Sequence, residues 1–117
     1  MKSSRNLLAA GTLIGDKVIN QQNEEVGKIE ELMISVNDGR VGYAVMSFGG
    51  VLGFGNKFFA LPWSTLHVDQ EKKCFVLNVD KERLKNAPGF DKDHWPDMSD
   101  AKWTTEINTF YQYTHLE

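Results

Sequence analysis

The chain of 117 residues has one cysteine, three prolines and no long apolar run. Cys74 alone cannot form an internal disulfide, so nothing in the sequence requires an oxidising compartment. A helix that crosses a bilayer needs about 18 apolar residues in succession, and no stretch approaches that length. We therefore expect no membrane insertion and a cytoplasmic location.

Strong charge of either sign is also missing. The chain has 13 basic and 16 acidic residues, a net charge of −3, and its basic residues are scattered. Proteins that bind nucleic acid through the phosphate backbone usually concentrate Lys and Arg on one surface, so direct nucleic-acid binding is not expected. A hydrophobic fraction of 41% and a charged fraction of 25% are typical of one ordinary globular domain.

The apolar stretch 40–66 is the part around which the chain is organised. It contains two strands with large side chains on both faces, separated by a glycine-rich turn. Strands that are apolar on both faces need cover on both faces, as in a small closed or strongly curled sheet with another element over it. This pattern predicts a β-barrel.

Short strands joined by turns surround this stretch. The alternation of Leu32, Ile34 and Val36 is out of phase with Ile29, which predicts a β-bulge near residues 30–31. Asp38-Gly39 predicts a tight hairpin turn. Six strands are expected, near residues 17–19, 26–36, 41–48, 58–61, 67–68 and 74–79.

Helices are expected after the strands. Asp80 is a predicted N-cap for a short helix over 81–85, and Ser99 for a longer one with Asp100 in its first turn. The longer helix has an apolar stripe at helical spacing, made of Trp103, Ile107, Phe110 and Tyr111. A lone helix with such a stripe is marginal in water, so it must pack on the barrel of its own chain or of a neighbour.

The predicted organisation of the chain is a flexible leader (1–10), a β-barrel (11–90) and a linker with a C-terminal helical arm (91–117). Lys2 and Arg5 precede a short apolar segment, but Gly11-Thr12 interrupts it, so a signal peptide is not expected.

The glycine-rich turn, residues 49–57, does not match a phosphate-binding loop. A Walker loop has Lys and then Ser or Thr after its last glycine, whereas Gly55 is followed by Asn56. A wide structural turn is the simplest interpretation. Its apolar residues favour an alternative role as a partner-binding loop, for which the candidates are Val51, Leu52 and Phe54.

No pattern of catalytic or metal-binding residues is evident. The segment with Asp91, Asp93, His94 and Asp97 has neither zinc nor calcium spacing, and it is interpreted as a solvated acidic linker. Cys74 has no neighbouring histidine that would indicate a Cys-His pair. We predict no enzyme activity, cofactor or metal.

Several short motifs in this order resemble the PRC-barrel family, named after the cytoplasmic domain of the photosynthetic reaction centre H subunit. They are Gly27-Lys28-Ile29-Glu30, Val41-Gly42-Tyr43-Ala44-Val45, Ser47-Phe48-Gly49-Gly50 and Phe59-Ala60-Leu61-Pro62-Trp63. The resemblance covers about residues 11 to 90, and the tail is similar to stand-alone bacterial members described as stress-related. It implies a small six-stranded β-barrel that acts by binding and has no shared catalytic residues. With the short helical turns and the C-terminal amphipathic helix expected from the residues themselves, this gives the predicted fold.

We therefore expect a non-enzymatic protein-interaction or adaptor module that self-associates, as a dimer, through the helix stripe and the glycine-rich loop. Two alternatives remain open. One is an adaptor associated with the ribosome or RNA, like the related barrel of the ribosome maturation factor. The other is a sensor that binds a small molecule or metal at the barrel mouth or the 91–97 segment.

Overall fold

The computed structural model describes residues 7–48 and 57–115, with side chains described as far as residue 112. The elements along these residues are α1 (Ala10–Leu13), β1 (Lys17–Ile19), β2 (Glu25–Ile34), β3 (Val41–Phe48), β4 (Lys57–Pro62), a 3-10 turn (Trp63–Thr65), β5 (Leu66–Asp69), β6 (Cys74–Leu77), α2 (Lys81–Lys85), β7 (Phe90–Asp91) and α3 (Ala101–His115). None of the helices in this part of the chain combines the length and apolar character that a bilayer crossing requires.

The strands form one sheet in the order β5-β6-β1-β2-β3-β4-β7, with the β1–β6 pair parallel and the others antiparallel. The mainly β, barrel-type fold and its six predicted strands are confirmed. Two features differ from the prediction. Within the described residues the ladder does not close between β5 and β7, and Phe90–Asp91, predicted as part of an extended segment, adds a seventh strand beside β4.

The long strand β2 is bent where its apolar phase changes. The pairing register with β3 shifts between Ile29 and Glu31, which confirms the predicted bulge. The β2–β3 turn is also confirmed, because Gly39 has φ +72° and the Arg40 backbone N–H donates to Asp38 Oδ1 at 3.3 Å. The bulge and the turn together determine which side chains of this hairpin face the interior.

A buried side chain organises the connection between β1 and β2. The Oδ1 atom of Asn20 accepts the backbone N–H groups of Gln22 and Glu24, each at 2.9 Å, and its Nδ2 donates to Glu24 Oε1 at 2.7 Å. Asn23 adopts φ +65° in the same loop, a conformation that asparagine tolerates better than most residues. Because its polar atoms are satisfied, Asn20 can be buried without the usual cost.

Strands β3 and β4 are covered on both faces, as the sequence predicted. Met46 and Leu61 belong to the main core cluster. Val45 and its cross-strand partner Ala60 alternate with them and therefore lie on the other face, yet both are fully buried. Helix α3 packs against β4 and contributes Ile107 and Tyr111 to the same core cluster as Met46 and Leu61.

The helix ends agree with the predicted caps in one case and not in the other. Asp80 caps α2, since its Oδ1 accepts the Arg83 backbone N–H at 2.8 Å. For α3 the predicted cap, Ser99, was wrong. Asp100 Oδ2 accepts the backbone N–H of Trp103 at 3.1 Å, and the helix begins one residue after Asp100. Trp103 is the third residue of the helix, and an N-cap side chain normally accepts the N–H of the second or third residue. The negative charge of Asp100 also suits a helix N-terminus.

The close approach of β2 to β3 at Gly27 leads to a stability prediction. A Cβ at Gly27 would collide with the Ser47 carbonyl oxygen and lie 2.9 Å from Met46 Cγ. We expect Gly27→Ala to lower the free energy of unfolding by about 1–3 kcal/mol. Gly42→Ala is the matched control, because its nearest neighbour would be Met33 O at 3.8 Å. Urea unfolding compares the two variants, and an equal effect would contradict the close approach.

Candidate partner-binding surface

The predicted partner-binding residues fall into two groups. Val51, Leu52 and Phe54 lie outside the described residues. The other group lies on α3, where Ile107 and Tyr111 are buried and Trp103 and Phe110 are half-buried. All four belong to the packing of the core cluster of the same chain. The apolar stripe of α3 therefore does not need a second chain to cover it, which was the reason for predicting a dimer formed through this stripe.

Aromatic and cationic contacts hold α3 in place. The rings of Tyr43 and Trp103 meet edge to face with centroids 5.3 Å apart. The guanidinium of Arg83 lies 4.2 Å from the centroid of the Phe110 ring, and its Nη2 donates to the Phe110 carbonyl oxygen at 3.1 Å. Burial raises the pKa of Tyr111 well above its usual range, with the nearby charge of Arg83 acting in the opposite direction. These contacts connect α3 to β3 and α2.

A cleft of about 200 Å³ lies where α3 meets the 3-10 turn. Its lining consists of Pro62, Ser64, Thr65, Asn108, Tyr111 and Gln112. The Thr65 hydroxyl donates to the Pro62 carbonyl oxygen at 2.7 Å, and Asn108 is hydrogen-bonded to Tyr43. Two of its polar side chains are thus already engaged within the protein. The volume is also below the roughly 300–1,000 Å³ of most small-molecule sites.

The acidic segment after β7 is organised by aromatic contacts. The rings of Phe58, Phe90 and Trp95 contact one another with centroids 5.3 to 6.2 Å apart. His94 Nδ1 lies 3.9 Å from Asp91 Oδ2, and both side chains are well exposed. Among the residues that the structure describes, no three His, Cys, Asp or Glu side chains are grouped to hold a metal ion. The aromatic contacts place this segment against the end of β4.

The Cys74 thiol is buried at the start of β6. Burial raises its pKa, and the charge of Asp69 raises it further. His67 is solvent-exposed on the neighbouring strand, opposite Val76. A raised pKa lowers the fraction of reactive thiolate, so the environment of Cys74 is that of a structural cysteine.

Apolar residues at the end of β2 and in the following turn lie outside the core. The exposed fraction rises from 9% at Leu32 to 50% at Ile34, the last residue of β2, and 92% at Val36 in the β2–β3 turn. We call Ile34 and Val36 the hairpin-end surface. It was missed as a candidate site in the sequence, although the alternation of apolar residues up to the Asp38-Gly39 turn was visible. That signal does not show where the core ends.

Other large apolar side chains are exposed singly or near the N-terminus. They are Leu7, Leu8, Ile14 and Trp95. Scattered exposed apolar residues are common on soluble proteins. The hairpin-end surface differs because it has two large exposed apolar residues close together in the sequence, at the end of one β-hairpin.

The comparisons with known proteins give one match. The sequence matches the model of the PRC-barrel domain over residues 6–84, which is more than half of the chain. A comparison with curated proteins finds no match. The matched range covers β1 to β6 and most of α2, and it ends before β7 and α3.

The packing of α3 leads to a second stability prediction. We expect Ile107→Ala to lower the free energy of unfolding by about 2–5 kcal/mol, because it removes a fully buried side chain between helix and sheet. Glu106→Ala, at the preceding exposed position, is the control and should change it by no more than about 0.5 kcal/mol. Urea unfolding followed by tryptophan fluorescence compares the two. Equal stability of both variants would contradict the docking of α3.

Proposed function

Because the chain belongs to the PRC-barrel domain family, we propose that it is a non-enzymatic protein-interaction module, an adaptor that binds a protein partner and also associates with itself. The observation that supports this best is the hairpin-end surface, where Ile34 at the end of β2 and Val36 in the β2–β3 turn expose large apolar side chains to solvent. The resemblance to the family implies a barrel that acts by binding, in agreement with this role.

The hairpin-end surface has the composition of a small binding patch. Burying a Val or Ile side chain stabilises a complex by about 1.5–3 kcal/mol relative to leaving it in water. Exposed polar residues, Asp38 and Arg40, lie beside the two apolar ones at the turn. Protein interfaces commonly have an apolar centre within a polar rim. We therefore propose that a protein partner covers Ile34 and Val36.

Two further elements of the proposal concern the setting. A cytoplasmic site of action is supported by Cys74, which is free and buried, so the fold does not depend on an oxidising compartment. A role under stress is supported only by the resemblance of the tail to stress-related family members.

Self-association is supported by the open ladder, since β5 has no strand on its outer side among the described residues.

Site-specific photo-crosslinking tests the partner surface. A photoreactive amino acid at Val36 of the full chain, expressed in its native cell, should give a discrete adduct with one protein. The same amino acid at Glu71, an exposed turn residue between β5 and β6, is the control and should not give that adduct. Adding Ile34→Asp to the Val36 probe should remove the adduct, because a charge is then desolvated at the contact. Equal adducts at Val36 and Glu71 would contradict a hairpin-end binding surface.

Sedimentation velocity tests self-association independently of the partner. The mean sedimentation coefficient of the full chain should rise with concentration through the micromolar range, as expected for a weak dimer with a small interface. Val36→Lys should leave this rise unchanged, because we assign the hairpin-end surface to a different partner. A coefficient typical of the monomer at every concentration would rule out self-association.

A further inference from the structure

Strand β5 is the end strand of the sheet, and we propose that it pairs antiparallel with β5 of a second copy of this chain, across a two-fold axis at Val68. This inference rests on the self-association proposed above and specifies its surface. Such a contact joins two open sheets into one continuous sheet. It is isologous, so each chain contributes the same residues.

The direction of the backbone groups supports an accessible edge. The Asn78 N–H donates to the Thr65 carbonyl oxygen at 2.9 Å, which makes residues 65 and 78 a hydrogen-bonded pair. In an antiparallel ladder hydrogen-bonded and non-hydrogen-bonded pairs alternate. The pairs 67–76 and 69–74 are therefore hydrogen-bonded as well, and the pair 68–75 is not. The backbone N–H and C=O of Val68 therefore point away from β6. No described strand lies on that side.

The backbone directions allow only certain registers. A two-fold axis between two residues would pair the outward-pointing backbone of Val68 with the inward-pointing backbone of His67, and no ladder could form. An axis at Val68 sets Val68 against Val68 as a hydrogen-bonded pair. An axis at His67 sets His67 against His67 and leaves both Asp69 carboxylates without an imidazole donor opposite them.

Hydrogen-bond complementarity between His67 and Asp69 selects the axis at Val68. In that register each His67 lies opposite Asp69 of the other copy, in a non-hydrogen-bonded pair with Cα atoms about 4.5 Å apart. His67 is exposed and Asp69 is half-buried. Asp69 Oδ1 accepts the Lys72 backbone N–H at 3.0 Å, so its second oxygen can accept from the imidazole. The contact contains this imidazole–carboxylate pair twice, and a hydrogen bond to a charged group is stronger than one between neutral groups.

The side chains on the other face of the extended sheet are also compatible with pairing at Val68. Val68 lies on the face opposite to His67 and Asp69, where it packs against the core cluster. Pairing at Val68 would bring the two Val68 side chains together at the rims of the two cores. Because β5 has only four residues, the dimer should be weak.

Two substitutions at one exposed position test the charge pairing. His67→Asp puts carboxylates opposite each other at two places, whereas His67→Lys puts an ammonium group opposite each Asp69 carboxylate. From sedimentation equilibrium we expect the dimer dissociation constant of His67→Asp to be about tenfold higher than that of His67→Lys. Because both changes are at the same exposed site, equal melting temperatures will show that folding is unaffected.

Disulfide trapping tests the register. All variants are made in a Cys74→Ala background, because Asp69 faces Cys74 within the chain. A mixture of His67→Cys and Asp69→Cys chains should form interchain disulfides under mild oxidation, and His67→Cys alone should form far fewer. The expected Cα separation of about 4.5 Å in that pair suits a disulfide.

The possible results separate this inference from the proposed function. A weaker His67→Asp dimer together with disulfides in the mixture supports pairing at Val68. A dimer with equal dissociation constants for both variants and no disulfide overturns the β5 contact while self-association stands. Efficient disulfides in His67→Cys alone overturn the axis at Val68. A monomer at all concentrations overturns both self-association and this contact. Partner binding is tested separately, by the crosslinking experiment with the photoreactive residue at Val36.

Discussion

The burial of β3 and β4 on both faces is the constraint on which the rest of the structure depends. Val45 and Ala60 face away from the main core but are inaccessible to water. A sheet with only one covered face would leave these apolar side chains in solvent, which is unfavourable in proportion to the exposed area. After β7 the chain returns to the sheet, where α3 packs against β4 and adds Ile107 and Tyr111 to the core cluster.

The return of the chain is stabilised by polar contacts as well as by burial. Arg83 contacts both the ring and the backbone carbonyl of Phe110. It links α2, at the end of the family match, to α3, which lies beyond it. The matched barrel and the unmatched helix thus share one packed core, in which Leu84 of α2 and Ile107 of α3 are both fully buried.

The features that could be predicted from the sequence are those with local causes. The bulge at Ile29–Glu31, the turn at Gly39 and the cap at Asp80 each depend on residues within a few positions of one another. The seventh strand and the cap at Asp100 were not predicted, because they depend on where the tail meets β4 and on where α3 begins. Likewise, the alternation in β2 was visible, but only the packed structure shows that Leu32 is inside and Val36 is outside.

The parallel pairing of β1 with β6 has a consequence for synthesis of the chain. Val18 is the partner of Phe75, so the two strands are separated by the whole β2–β5 region. Hairpins such as β2–β3 can form as soon as their residues leave the ribosome, whereas β1 keeps one edge unpaired until β6 has been made. During translation at about 5–20 residues per second, the nascent chain therefore exposes that edge for several seconds to chaperones and to neighbouring polypeptides.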